Sequence, residues 1–236
     1  MERSDATRGW AGPASVSAER VTEFLRRVYG WMCCGLGITA FVAWTLMGMP
    51  GVVQSLVANH WVFLALFVGQ IGLVFALSAR VDRMAPGTAA ALFVMYSALT
   101  GVTMSVLLLA YTGASIATTF MVTAGTFGAL AVFGTTTKRS LAGAGQFLFM
   151  GLIGLVLASI VGMFWNNGAL QFLISVVGVI VFTGLTAWDA QRLKEMAATV
   201  PAERMGAYAI VGALSLYLDF INLFLFLLRF LGGRRD

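Results

Sequence analysis

Residues 84–137 read MAPGTAAALFVMYSALTGVTMSVLLLAYTGASIATTFMVTAGTFGALAVFGTTT, and not one of them is charged. A helix needs about 20 residues to cross the hydrocarbon core of a bilayer, so a stretch near 50 residues holds two crossings and a turn. Tyr111-Thr112-Gly113 lies at its middle and marks that turn. The same pattern recurs on both sides. Tyr29 to Ala79 carries no charge, and neither does Ser140 to Trp188. Met49-Pro50-Gly51, with a polar patch ending at Asn59-His60, interrupts the first stretch, and Trp165-Asn166-Asn167-Gly168 interrupts the last. The spacing therefore predicts three helical hairpins.

The charges lie at the ends of these hairpins. Arg26 and Arg27, Arg80 and Arg83, Lys138 and Arg139, and Arg192 and Lys194 flank the apolar stretches, while the three mid-hairpin turns hold no Lys or Arg. Basic loops stay on the cytoplasmic side, which places the N-terminus there as well. A seventh apolar segment, from about Ala207 to Leu228, holds one charge, Asp219. It either crosses fully, leaving Arg234 and Arg235 outside, or re-enters; its length favours a full crossing. All four prolines, Pro13, Pro50, Pro86 and Pro201, fall outside the expected spans, as helix geometry requires. The glycines fall mostly inside them, as in Gly125-Thr126-Phe127-Gly128, and suit close helix packing. The expected fold is an all-α integral membrane protein. It is a seven-transmembrane-helix bundle over residues 23–236, preceded by a mobile cytoplasmic tail over 1–22.

Composition agrees. Of the 236 residues 59% are hydrophobic and 11% charged, more apolar surface than a soluble core of this size hides. The net charge of +5 belongs to loops beside anionic lipid, and no basic face with interleaved aromatics points to nucleic acid. The first 20 residues lack the apolar core of a signal peptide. Cys33 and Cys34 are adjacent, which suits neither a disulfide framework nor a metal site. The single histidine, His60, falls at an interface beside Trp61. The chain has no HExxH, CxxC, P-loop or GxSxG, so no enzyme activity and no tightly bound cofactor are expected.

The chemistry narrows to two carboxylates. Asp219 falls about 18 Å into its helix, where an ionised group is costly unless paired, protonated or wetted. Ser215, Asp219 and Asn222 follow at helical spacing and share a face that looks into the bundle, which makes the last helix central. Asp189 closes the third hairpin beside Trp188, Gln191 and Arg192. It is either a surface partner of Arg192 or Lys194, or, if the sixth helix continues toward Ala197, a membrane residue within reach of Asp219. Two carboxylates that meet in a poorly hydrated site hold a proton between them, and deprotonation adds repulsion. A hard cation such as Ca²⁺ stabilises the doubly charged form, weakly, because two carboxylates are few ligands.

The run Ala213-Leu214-Ser215-Leu216-Tyr217-Leu218-Asp219-Phe220-Ile221-Asn222-Leu223-Phe224, followed by Leu227-Leu228-Arg229-Phe230, resembles the Bax inhibitor-1 (transmembrane Bax inhibitor motif) family. Phe182-Thr183-Gly184-Leu185-Thr186-Ala187-Trp188-Asp189-Ala190-Gln191-Arg192-Leu193-Lys194 is similar to its penultimate helix. Tyr111-Thr112-Gly113-Ala114-Ser115-Ile116 and Thr136-Thr137-Lys138-Arg139 fit the bacterial branch. The resemblance implies a seven-helix fold with the last helix central, in a bacterial inner membrane. It also implies a pH-sensitive Ca²⁺ leak through an aspartate pair, with Asp189 and Asp219 at those positions and Arg80 or Arg83 as a latch. Trp188 stands where the family often has Tyr, and the segment between the aspartates is long. Some bacterial relatives resemble regulators of a membrane-anchored AAA protease, which gives a second expectation: a binding protein with little or no transport.

Overall fold

The computed structural model describes residues 13–165 and 167–233. Its helices are α1 (Pro13–Met47), α2 (Pro50–Ala58), α3 (His60–Ala79), α4 (Pro86–Leu108), α5 (Gly113–Thr136), α6 (Ala142–Phe164), α7 (Gly168–Thr199) and α8 (Met205–Leu231). All but α2 are long and apolar enough to cross a bilayer, which makes seven candidate spans among the described residues. The chain is an all-α integral membrane protein, as its charge-free stretches require. Of the tail expected over 1–22, residues 1–12 lie outside the described residues, and from Pro13 the chain is helical.

The prolines start helices. Pro50 and Pro86 each occupy the first turn of a helix, where the missing N–H is no loss. The turn expected at Met49-Pro50-Gly51 is in fact the start of α2, a nine-residue helix held by Val53, its one buried residue. Asn59 then caps α3, its side-chain oxygen accepting from the Trp61 and Val62 amides. Thr112 and Asn167 do the same for α5 and α7.

The three hairpins place Arg80, Lys138 and Arg192 at one end of the bundle, called here the basic end, and the mid-hairpin turns at the far end. α8 runs the full distance between them. Near its start Arg204 and Tyr208 reach Asp82 in the α3–α4 loop. Past its other end, the Gly233 carbonyl accepts from the Thr112 amide and the Gly233 amide donates to Ser115 Oγ. The last apolar segment is therefore a complete crossing and not a re-entrant loop.

α8 is also the axis of the packing. It lies against α7, α1, α5 and α4, and its Ile210, Leu214, Leu216, Tyr217 and Leu228 are almost fully buried. Phe24 and Val28 of α1, Leu77 of α3 and Phe93 of α4 complete the main core. A second cluster, including Leu155, Ile174, Phe182 and Leu223, joins α6, α7 and α8. α3 and α6 stand at the periphery, with Phe67, Phe75, Phe147 and Leu157 exposed. In a bilayer these side chains meet lipid.

Candidate functional site

α7 brings Asp189 into the bundle. The helix continues past Trp188 for a further three turns to Thr199, so Asp189 is a mid-helix residue and not a loop carboxylate. Two glycines let the neighbouring helices come close enough to bury it. A Cβ on Gly134 of α5 would stand 2.1 Å from the Ala187 carbonyl oxygen, and one on Gly145 of α6 would stand 2.3 Å from the Trp188 indole. Both contacts flank the Asp189 position, and neither tolerates a side chain.

Asp189 and Asp219 are 7% and 5% exposed. The two carboxyl groups are neighbours across the α7–α8 contact, and no hydrogen bond joins them among the described residues. Ser215 Oγ donates to Asp189 Oδ2 at 2.5 Å. Arg192, one turn along α7, holds a guanidinium nitrogen 3.8 Å from Asp189 Oδ1, but its side chain is 54% exposed, so water weakens the attraction. Asp219 is served less well. Its Oδ2 is buried and has no hydrogen-bond partner. A bare carboxylate oxygen in that place is costly, whereas a protonated carboxyl facing a carboxylate is satisfied.

A cavity of about 230 Å³ between α3, α7 and α8 reaches Asp189. Ser78, Arg192, Met196, Tyr208 and Ser215 line it together with Asp189. It lies toward the basic end, where Tyr208 donates to Asp82 Oδ1 at 2.5 Å and Arg204 approaches the same oxygen at 3.3 Å. One wall of the cavity is thus stapled to the α3–α4 loop.

The other sequence candidates are placed as follows. Arg80 and Arg83 are both exposed, at the end of α3 and in the short 3₁₀ turn after it, and neither forms an ion pair among the described residues. The cation beside the pair is Arg192. Lys194 points away and donates to the Thr135 carbonyl at 2.6 Å. Asn222 donates to the Leu218 carbonyl of its own helix and lines a different cleft, with Ser159 and Gln171. No group of three or more His, Cys, Asp or Glu side chains able to hold a metal ion occurs among the described residues.

Two contributors were not singled out from the sequence. Gln191, 7% exposed, receives the Leu141 amide at 2.7 Å and donates to the Arg139 carbonyl at 2.9 Å. It clamps the α5–α6 loop onto α7 within two residues of Asp189. Its signal was an uncharged amide among charged neighbours at a helix end. Asp82 was the other, a lone acid between Arg80 and Arg83.

The family model described as "Inhibitor of apoptosis-promoting Bax1" matches residues 21–236. The inner membrane protein YbhL of Escherichia coli K12 is 49% identical over 215 residues, covering 90% of this chain and 92% of YbhL. A protein of Borreliella burgdorferi is 45% identical over 216 residues, covering 91% and 93%. One of Caulobacter vibrioides is 40% identical over 251 aligned positions, covering 99% and 100%. Matched by the family model over residues 21–236 and by relatives along nearly its whole length, this chain belongs to the Bax inhibitor-1 family.

Proposed function

We propose that the protein is a pH-sensitive Ca²⁺ leak of a bacterial inner membrane, gated by Asp189 and Asp219, with its N-terminus and basic end in the cytoplasm. The observation that carries this reading is the buried carboxyl pair, with one bare oxygen on Asp219 and with Asp189 lining a cavity toward the basic end of the bundle. When the pair holds one proton, a single negative charge is shared between α7 and α8 and steadied by Ser215. Loss of that proton leaves two charges in contact, and α8 is repelled from α7. Ca²⁺ entering from the far end relieves the repulsion by taking oxygen ligands from both carboxylates, with Ser215 and water filling further positions. So small a protein ligand set binds weakly, which suits passage better than storage. The orientation follows from the basic residues: all Lys and Arg except Arg229, Arg234 and Arg235 precede or flank the basic end.

The test is Ca²⁺ flux into liposomes holding the purified protein, measured across a pH series. Flux should rise with pH in the native protein, and Asp189→Asn or Asp219→Asn should flatten the profile. Unchanged profiles in both variants would overturn the gate. Absence of any Ca²⁺ flux from folded native protein would favour the other reading, a membrane-embedded binding protein that regulates a membrane-anchored AAA protease.

A further inference from the structure

At the far end α6 leans on α7 and scarcely meets α8. A cleft of about 250 Å³ remains between α6 and α8, lined by Ser159, Gln171, Asn222, Leu225, Phe226 and Arg229. Four polar side chains converging on one lipid-side cleft need a reason, because polar groups at membrane depth are costly when idle. Their internal bonds use only part of their capacity. Ser159 Oγ donates to the Leu155 carbonyl at 2.8 Å, Gln171 Nε2 to the Gly162 carbonyl at 3.2 Å, and Asn222 Nδ2 to the Leu218 carbonyl at 2.8 Å. Each amide nitrogen keeps a second hydrogen. Among the described residues, neither amide oxygen accepts a bond.

Arg229 stands at the rim. Its guanidinium lies over the Phe226 ring, 5.8 Å from the centroid, and it forms no ion pair among the described residues. A place in the last turn of α8 suits a cation, but that alone does not call for amides and a hydroxyl beneath it. The charge also decides what enters. A guanidinium at the mouth repels cations, so this cleft is not a Ca²⁺ entrance. It favours an anion, and the amides below it favour oxygen acceptors.

Depth identifies the source of that anion. Gly162 and Gln171 lie within a turn of the far ends of α6 and α7, which sets the mouth at the level of lipid headgroups. Asn222 lies seven residues before Arg229, about 10 Å deeper. We propose that this cleft binds the phosphate-bearing headgroup of an anionic phospholipid from the far leaflet, with Arg229 on the phosphate and the deeper amides of Gln171 and Asn222 donating to ester oxygens of its glycerol backbone. Guanidinium and phosphate pair through two parallel N–H bonds, which a point charge does not reproduce. The inference does not depend on the transport reading.

Full-length protein, purified in a neutral detergent, would be titrated with phosphatidylglycerol, phosphatidylcholine, inorganic phosphate or glycerol phosphate, and retained lipid read by native mass spectrometry. The expected result is one phosphatidylglycerol held in preference to phosphatidylcholine and not displaced by the soluble anions. Arg229→Gln should weaken that preference by about tenfold, and Asn222→Ala by less. Arg83→Gln, at the opposite end, should leave it unchanged. Equal preference in Arg229→Gln and native protein would overturn the site. Displacement by millimolar inorganic phosphate would overturn the lipid as its occupant.

Discussion

Tyr217 and Asp219 are two residues apart on α8 and face opposite ways, and the bundle treats them differently. Tyr217 is fully buried, and its hydroxyl meets Thr39 Oγ1 at 2.6 Å. Thr39 in turn donates to the Ser97 carbonyl at 2.9 Å. The ring packs edge-on against Phe93 and Tyr96, each 5.8 Å between centroids. Every polar atom on that face is answered, and α1, α4 and α8 are locked together. On the other face Asp219 is just as deep and keeps an oxygen without a partner. A buried hydroxyl that is satisfied costs little and specifies a contact, whereas a buried carboxylate that is not satisfied stores an electrostatic cost. One side of the helix is satisfied in place, and the other holds a buried acidic group with an unanswered oxygen.

The largest expected effect comes from breaking the locked face. Tyr217→Ala should destabilise the folded bundle by about 3–5 kcal/mol, the range for emptying a large aromatic site. Unfolding in mixed detergent micelles reads this directly. A loss under about 1 kcal/mol would mean that lipid or neighbouring side chains refill the space, and that the two faces are less distinct than their packing indicates. Tyr217→Phe sharpens the same point. It keeps the ring and removes one hydrogen bond, so the cost should be about 1 kcal/mol, with the pH profile of Ca²⁺ flux unaltered. A displaced profile would show that the two faces are coupled.

The architecture was legible because lipid imposes a simple rule. Three charge-free stretches with basic ends admit hairpins and little else, and the spans follow the expected turns closely. The helices differ from expectation in two places: α1 begins at Pro13, inside the expected tail, and α2 is a short segment whose one buried contact, Val53, gave no periodic signal. Pairing was harder to read. The depth of Asp219 was evident from its apolar neighbours, but Asp189 sits beside Arg192 in sequence and reads equally well as a surface ion pair. Its burial depends on Gly134 and Gly145, which lie more than 40 residues earlier on other helices. Local spacing also put Asn222 on the face of Asp219, yet Asn222 opens onto the far-end cleft with Ser159 and Gln171. A period of 3.6 fixes angles around one helix and does not say which neighbour ends at which depth.

The smallest expected effect lies on the responsive face. Arg192 is half exposed and 3.8 Å from Asp189, so Arg192→Gln should change folding stability by less than about 1 kcal/mol. For the proposed gate its effect has a definite sign: a nearby positive charge aids the proton loss that the gate requires, and removing it opposes that loss. The flux profile should therefore move to higher pH. Arg192→Lys keeps the charge and should restore most of the native profile. Arg80→Gln and Arg83→Gln supply the contrast, since both residues are exposed and neither pairs with an aspartate among the described residues. A larger displacement in either of them than in Arg192→Gln would show that the latch is supplied by the end of α3 or the turn after it, and that Arg192 is a bystander on the helix surface.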